Sequence, residues 1–247
     1  LNVAYTIAGL EDAIVVPPSL IALAEAHGLR PIDDLRGRYT GMTDVQIYAD
    51  AKARYWARCN HDMIMLMGGH SGDIRIPGMA DWGVRQRMFF HDLSGNPAHP
   101  EEVALAMAFY GEMNPGAFVF GWHSYAKDTE EQHTTLTSTF GLRMDGLQSL
   151  PNHSFNCQFA FTPGFRFVNQ HNVERDATLV AEKKVYLAFV QSDGIGLGVW
   201  TKPGRGRLKL SWGAIPSWLE FAPAALEYFH ESATPADYFI GGLSGPS

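Results

Sequence analysis

Polar side chains follow several apolar runs of this sequence, at the places where a parallel sheet has its ligand site. Asp193 comes after the apolar run 184–190 and directly precedes Gly194. A carboxylate in that position can act as a general acid or base, or bind a metal ion. The alternative is that Asp193 accepts hydrogen bonds from the backbone of the glycine-rich loop. We expect a functional role, because the carboxyl ends of strands in parallel folds form active sites.

Other apolar runs end in the same way. His91 and Asp92 follow the run 87–90, and Trp122 and His123 follow the run 117–120. A histidine can transfer protons or bind metal near neutral pH, and the competing interpretation is a hydrogen-bonded histidine at the rim of the core. Glu131 lies in the first turn of a predicted helix, where its default role is to favour the helix dipole and catalysis is the alternative. The candidate ligand-binding residues are His70, His91, Trp122, His123, Asn152, Ser192 and Ser244.

Short motifs for other chemistries are missing from the sequence. There is no His-x-His or His-Glu-x-x-His spacing, so a metal cluster would have to assemble in three dimensions, from His70, Asp92, His123 and Asp193. There is no Gly-x-Ser-x-Gly segment, which is the motif of many serine hydrolases. The glycines between 194 and 206 lack the Lys-Ser/Thr ending of a phosphate loop.

Apolar runs alternate with helical patterns along the chain, which predicts a parallel sheet with crossover helices. The predicted strands are 3–8, 63–67, 87–90, 117–120, 184–190 and 238–240. The predicted helices are 19–27, 43–59, 100–111, 129–140 and 218–232, with Thr43 as an N-cap. The segment 141–183 is expected to be a loop with some edge strand. We therefore expect one α/β domain over residues 1–247, barrel-like and mostly parallel, with an open doubly wound sheet as the alternative.

Composition excludes some partners. The net charge is −7 and Lys and Arg do not cluster, so we expect no nucleic-acid partner. No apolar run approaches roughly 18 residues, so we expect no membrane span. The two cysteines, Cys59 and Cys157, could pair or stay free. Both ends of the sequence adjoin predicted strands, so we expect a domain cut from a longer chain.

Three segments resemble the GxGYxYP family, bacterial proteins described as glycoside hydrolases. They are 185–194, which ends in Ser-Asp-Gly, 215–228, and 234–245. Weaker similarity covers Gly121-Trp122, the helix with Glu130 and Glu131, and residues 151–154. The opening, 2–17, is similar to the join to the family's amino-terminal domain. This resemblance implies an additional N-terminal domain in the parent chain, a carbohydrate substrate, and an extracellular or periplasmic location.

One departure from the family pattern bears on activity. The family continues Ser-Asp-Gly with Asp-Asn, whereas this chain has Ile195 and Gly196 at those places. If the second Asp of the family were essential, this member would have lost or changed its activity.

These observations predict a secreted bacterial carbohydrate-active enzyme that hydrolyses glycosidic bonds in a poly- or oligosaccharide. Asp193 would act with Asp92 or Glu131, since two carboxylates about 5–10 Å apart suit this chemistry. One alternative is a metal-dependent hydrolase, such as a sugar deacetylase, that uses His70 and His123 with the same aspartates. The other is a non-catalytic carbohydrate-binding domain, which Ile195 favours. We expect no cofactor, except the metal ion that the first alternative requires.

Overall fold

The computed structural model describes residues 1–68, 77–146, 150, 152–169, 180, 182–191 and 194–241, with no side-chain description for 77 and 78. The chain divides into two compact units, Leu1–Met144 and Asp145–Ser247. The fold is mixed α/β with mostly parallel sheets. A barrel-like domain was expected from the sequence, whereas the described residues form two separate open sheets.

Among the described residues, the sheet of the first unit contains four strands in the order β2-β1-β3-β4. Strand β1 pairs in parallel with both β2 and β3, and Leu66 lies opposite His91 on one side and Gly121 on the other. Strand β4 lies at the edge, which agrees with the expected edge strand within 141–183. The strands are β1 (Met63–Met67), β2 (Phe89–His91), β3 (Phe118–Trp122) and β4 (Arg143–Asp145).

The described residues of the first unit include six α-helices, of which α1 and α4 contact the strands of this sheet. They are α1 (Asn2–Glu11), α2 (Ile21–Ala26), α3 (Asp44–Tyr55), α4 (Pro77–Arg85), α5 (Pro100–Tyr110) and α6 (Glu130–Thr139). The cap predicted at Thr43 is confirmed, because its side chain accepts a hydrogen bond from the backbone of Gln46. The Gln46 side chain in turn accepts a hydrogen bond from the backbone of Thr43, which completes a capping box. Thr129 and Gln132 form the same arrangement at α6.

The strand predicted over residues 3–8 is wrong, because this segment is helix α1. Val3, Thr6 and Ile7 are buried, and their spacing of three and four residues is that of one helical face. The helix contacts α4 and β2, and the Thr6 hydroxyl accepts a hydrogen bond from the backbone of Phe90. A short apolar run is compatible with a strand or with a helix. Here the segment is a helix whose buried face packs against β2.

In the described part of the second unit there are a three-stranded parallel sheet, in the order β5-β6-β7, and four helices. The strands are β5 (Val190–Gln191), β6 (Leu210–Ala214) and β7 (Asp237–Gly241), and the helices are α7 (His153–Asn156), α8 (Leu197–Trp200), α9 (Trp218–Phe221) and α10 (Pro223–Glu231). The helix predicted over 218–232 is interrupted at Ala222, because Pro223 cannot donate a helical hydrogen bond.

The strand predicted over 184–190 is wrong for most of its length, since only Val190 of this range belongs to β5. Val185, Leu187 and Phe189 are 94%, 77% and 50% exposed. Their apolar side chains therefore have no core among the described residues to pack against, and periodicity alone could not show this. Strand β6 was not predicted, because Ser211 and Gly213 interrupt its apolar pattern.

Both cysteines are free thiols. Cys59 is buried in the core of the first unit, and Cys157 is half-buried in the second.

Candidate active site

The candidate site lies at the carboxyl edge of the first sheet, where β2 and β3 end on either side of β1. His91 is the last residue of β2, and Asp92 follows it. Trp122 is the last residue of β3, and His123 follows it. Helix α6 adds His133. His91, His123 and His133 are all buried, so this edge holds three imidazoles in low-dielectric surroundings.

Asp92 is a half-buried carboxylate held from helix α3. The hydroxyl of Tyr48 donates a short hydrogen bond to Asp92 Oδ1, and Tyr48 itself accepts one from Asn2 Nδ2 at 2.8 Å. Burial and the neighbouring Asp92 carboxylate raise the pKa of Tyr48 well above its ordinary value. Tyr48 is therefore a hydrogen-bond donor to Asp92 at any working pH.

Lys127 connects Asp92 to the surrounding acids. Its ammonium donates to the backbone oxygen of Asp92 at 3.1 Å, and it forms ion pairs with Asp44 at 2.5 Å and Glu102 at 3.1 Å. Burial lowers the pKa of Lys127, but the attraction of Asp92, Asp44 and Glu102 outweighs burial and raises it above the ordinary value. Lys127 thus stays charged and stabilises the negative side chains at this edge.

His123 and Asp128 form a buried pair. Nδ1 of His123 lies 3.1 Å from Asp128 Oδ1, and the backbone N–H of Gly95 donates to Asp128 Oδ2 at 2.6 Å. Burial raises the pKa of Asp128, and its hydrogen bonds from Gly95 and His123 oppose that rise only in part. A carboxylate partner makes Nδ1 the donor, so Nε2 is the nitrogen that can accept a proton or bind a metal ion.

His91 and His133 have different surroundings from His123. Burial lowers the pKa of each to about 3, so both rings are neutral at physiological pH. The backbone N–H of Leu93 donates to His91 Nδ1 at 3.2 Å, which leaves the ring proton on Nε2. Nε2 of each histidine makes no hydrogen bond with any described residue. The His91 ring is also stacked parallel to the ring of Phe109, so it packs within the core.

The remaining sequence-predicted residues are dispersed. Glu131 is exposed in the first turn of α6, and its carboxylate makes no hydrogen bond or ion pair with the described part of the chain. Trp122 is half-buried beside His123 and His133. Asn152 lies in the second unit, where it precedes α7 in a left-handed conformation. His70, Ser192, Asp193 and Ser244 lie outside the described residues.

Sequence reasoning missed Lys127, Asp128 and His133. The available signal was a Lys-Asp pair four and five residues after His123, just before the α6 cap. It is weak, because such pairs commonly occur at solvated helix starts.

No group of three or more His, Cys, Asp or Glu side chains within the described ranges is arranged to hold a metal ion. Across the same ranges, no helix has the length and apolar character needed to cross a membrane.

The described residues form a mixed α/β fold with mostly parallel sheets, and polar side chains gather at the carboxyl edge of the first sheet. Three family models match consecutive parts of the chain. "GxGYxYP_N second domain" matches residues 1–59, "GxGYxYP third domain" matches 61–158, and "GxGYxYP putative glycoside hydrolase C-terminal domain" matches 183–247. The chain therefore belongs to the GxGYxYP family.

A solved structure has the same fold. It is described as a crystal structure of "a putative hydrolase from Bacteroides thetaiotaomicron VPI-5482", with a TM-score of 0.75 and 21% sequence identity. The match covers 100% of this chain and 46% of that chain, so this chain spans just under half the length of that protein. No match is found among curated proteins.

Proposed function

We propose that this chain is part of a carbohydrate-active enzyme that hydrolyses glycosidic bonds in a poly- or oligosaccharide. The observation that supports this most directly is Asp92, a half-buried carboxylate at the end of β2 that Tyr48 holds in place. Support also comes from the family model for residues 183–247, which is described as a glycoside hydrolase domain.

Asp92 is a better candidate than Glu131 for the carboxylate supplied by the first unit. Glycosidase carboxylates must be held in a fixed position relative to the sugar, because their separation determines the mechanism. Asp92 has a fixed position through Tyr48, and Lys127 binds its backbone. Glu131 has no such contact, and its place in the first turn of α6 is explained by the helix dipole.

The second carboxylate that we propose is Asp193, which follows β5 by two residues in the sequence. One carboxyl group would protonate the leaving glycosidic oxygen. The other would either attack the anomeric carbon or activate water for that attack. Ile195 is buried in this chain, so an acid equivalent to the family's second Asp is not available at that position.

The test is hydrolysis by the full-length protein that contains this chain, assayed as reducing-sugar release from a panel of polysaccharides. Asp92→Asn and Asp193→Asn should each lower kcat by about 100-fold or more, since each removes an acid-base group while keeping the shape. Glu131→Gln is the matched control and should change kcat by less than twofold. Full activity in Asp92→Asn would refute the assignment. Tight glycan binding with no product would support the carbohydrate-binding alternative instead.

The His123–Asp128 pair favours a second candidate, a metal-dependent hydrolase such as a sugar deacetylase. A carboxylate that accepts from Nδ1 is the usual partner of a metal-binding histidine. His70, Asp92 and Asp193 would complete the ligands. Elemental analysis of the purified full-length protein tests this: one zinc per chain, lost together with acetate release in His123→Ala, would support it. Hydrolysis that persists in a metal-free preparation would exclude it.

Two other predictions from the sequence belong to this proposal. An extracellular or periplasmic location suits an enzyme for polymeric sugars, and fractionation of the native bacterium tests it. A barrel-like closure of a single domain also stays a prediction, supported by the parallel pairing of β1 with β2 and β3 and of β6 with β5 and β7. A crystal structure of the full-length protein in which the strands form no closed ring would contradict it.

A further inference from the structure

A cavity of about 560 Å³ opens in the second unit, at the amino ends of its parallel strands. Phe189 directly precedes β5, while Leu210 and Asp237 are the first residues of β6 and β7, and all three line the cavity. The last residues of β5, β6 and β7 lie at the opposite edge of this sheet, and Asp193 comes after β5 in the sequence. The length of β7 separates the two edges of the sheet by roughly 13 Å. This cavity is therefore a different place from the predicted catalytic edge.

A basic loop between α8 and β6 forms one side of the cavity. It contains Lys202, Arg205 and Arg207, three cations within six residues of a chain whose net charge is −7. Lys and Arg are otherwise scattered along the sequence, and this loop is an exception. Gly204 and Gly206 have φ values of +95° and +85°, a conformation that other residues adopt with strain.

Arg205 has its charge compensated within the protein. Its guanidinium donates to Asp237 Oδ2 at 2.5 Å and to the Ser232 backbone oxygen at 3.0 Å, and it lies 4.1 Å from the ring centre of Trp200. Burial raises the pKa of Asp237, but hydrogen bonds from Thr234 and from Trp212, together with Arg205, outweigh burial and lower it. Arg205 thus fixes the shape of the loop.

Lys202 and Arg207 differ from Arg205, because their side chains form no ion pair and no hydrogen bond with the described residues. The apolar wall beside them is formed by Phe189, Val199 and Leu208, which are 50%, 40% and 70% exposed. Ligand cavities typically measure about 300–1,000 Å³ and combine a mostly apolar lining with a few polar groups that fix orientation. This cavity has that size and that combination.

We propose that the cavity binds an organic anion: a ring or hydrocarbon body against Phe189 and Leu208, with a carboxylate or sulfate group on Lys202 and Arg207. The charge of the loop favours an anion, since Lys202 and Arg207 lie at one side of the cavity without an ion pair among the described residues. The exposed apolar wall requires the body, since covering it removes apolar surface from water. An acidic sugar and a simple aromatic or fatty acid share this chemistry. The proposal does not rest on glycosidase activity.

The test uses two fluorescent probes of one shape on the full-length protein, anilinonaphthalene sulfonate and its uncharged analogue phenylnaphthylamine. The anion should bind more tightly. Lys202→Gln and Arg207→Gln should each weaken binding of the sulfonate about fivefold or more, which is the effect of losing one partly solvated ion pair. Neither substitution should change the affinity for the uncharged probe. Lys209→Gln is the matched control: the same charge change in a neighbouring exposed residue outside the cavity.

Leu208→Ser should weaken both probes, because it shortens the apolar wall that they share. Displacement of the sulfonate by galacturonate oligomers or by octanoate then separates an acidic sugar from a fatty acid as the natural class. Equal affinity of the two probes for the wild-type protein would overturn the proposal. So would an effect of Lys209→Gln as large as that of Arg207→Gln. Sugar release is measured on the same variants and should not change, which keeps this result separate from the hydrolase test.

Discussion

Acidification from pH 7.5 to pH 5 should destabilise the first unit, because its two fully buried neutral histidines take up protons when it unfolds. Burial lowers the pKa of His91 and of His133 to about 3 in the folded protein. The pKa of an unfolded histidine is about 6.5. The unfolded chain therefore binds more protons than the folded one at every pH between these values, and stability falls as the pH falls.

The size of the effect follows from the distance between pH 5 and the unfolded pKa. At pH 5 each histidine is neutral in the folded state, and this pH lies about 1.5 units below the pKa of the unfolded histidine. At about 1.4 kcal/mol per unit, each contributes a loss on the order of 2 kcal/mol relative to pH 7.5. Stability from these groups is complete above pH 6.5 and is lost progressively as the pH falls toward 3. The folded pKa of Asp128, which is raised, changes stability in the opposite direction at the acidic end.

The assay is urea unfolding at pH 7.5 and pH 5, with the opening of the first unit read from modification of buried Cys59. A pyridyl disulfide reagent that reacts in acid, followed by peptide mass spectrometry, distinguishes Cys59 from Cys157. His133→Leu cannot titrate and should reduce the loss between the two pH values by about 2 kcal/mol. His99→Gln, a change to an exposed histidine, is the control and should leave the loss unaltered. An undiminished loss in His133→Leu would refute this explanation.

Three further predictions follow from single contacts. Tyr48→Phe removes the hydroxyl that donates to Asp92. It should lower the free energy of unfolding by about 1–3 kcal/mol in thermal unfolding and lower kcat for sugar release, and unchanged values of both would show that this contact has no role. Burial raises the pKa of Cys59 to about 12, so a thiol reagent should modify Cys157 first in the native protein. Rapid modification of both thiols would contradict the burial of Cys59. Gly121→Ala places a Cβ 2.1 Å from the backbone oxygen of Leu66 in β1, at a position where φ is +94°. The free energy of unfolding should fall by more than about 4 kcal/mol, and an unchanged melting temperature would contradict this packing.

Much of the first unit was predictable because its signals are local. The run 63–67 is a strand buried on both faces, as is usual in parallel sheets. The N-cap at Thr43 depends on residues within one helical turn. For the candidate site, the sequence pointed to Asp92 and His123 but not to Tyr48 and Asp128, the side chains that they contact.

The sequence by itself determined where parallel strands end and which polar groups stand there, since strand periodicity and capping depend on neighbours a few residues apart. Tertiary structure decided the rest. It made segment 2–9 a helix against β2, and it left 184–189 outside the strand β5. It also joined Tyr48 to Asp92 across 44 residues. The physical reason is that burial and hydrogen-bond partners depend on which distant segments meet, and no local pattern encodes that.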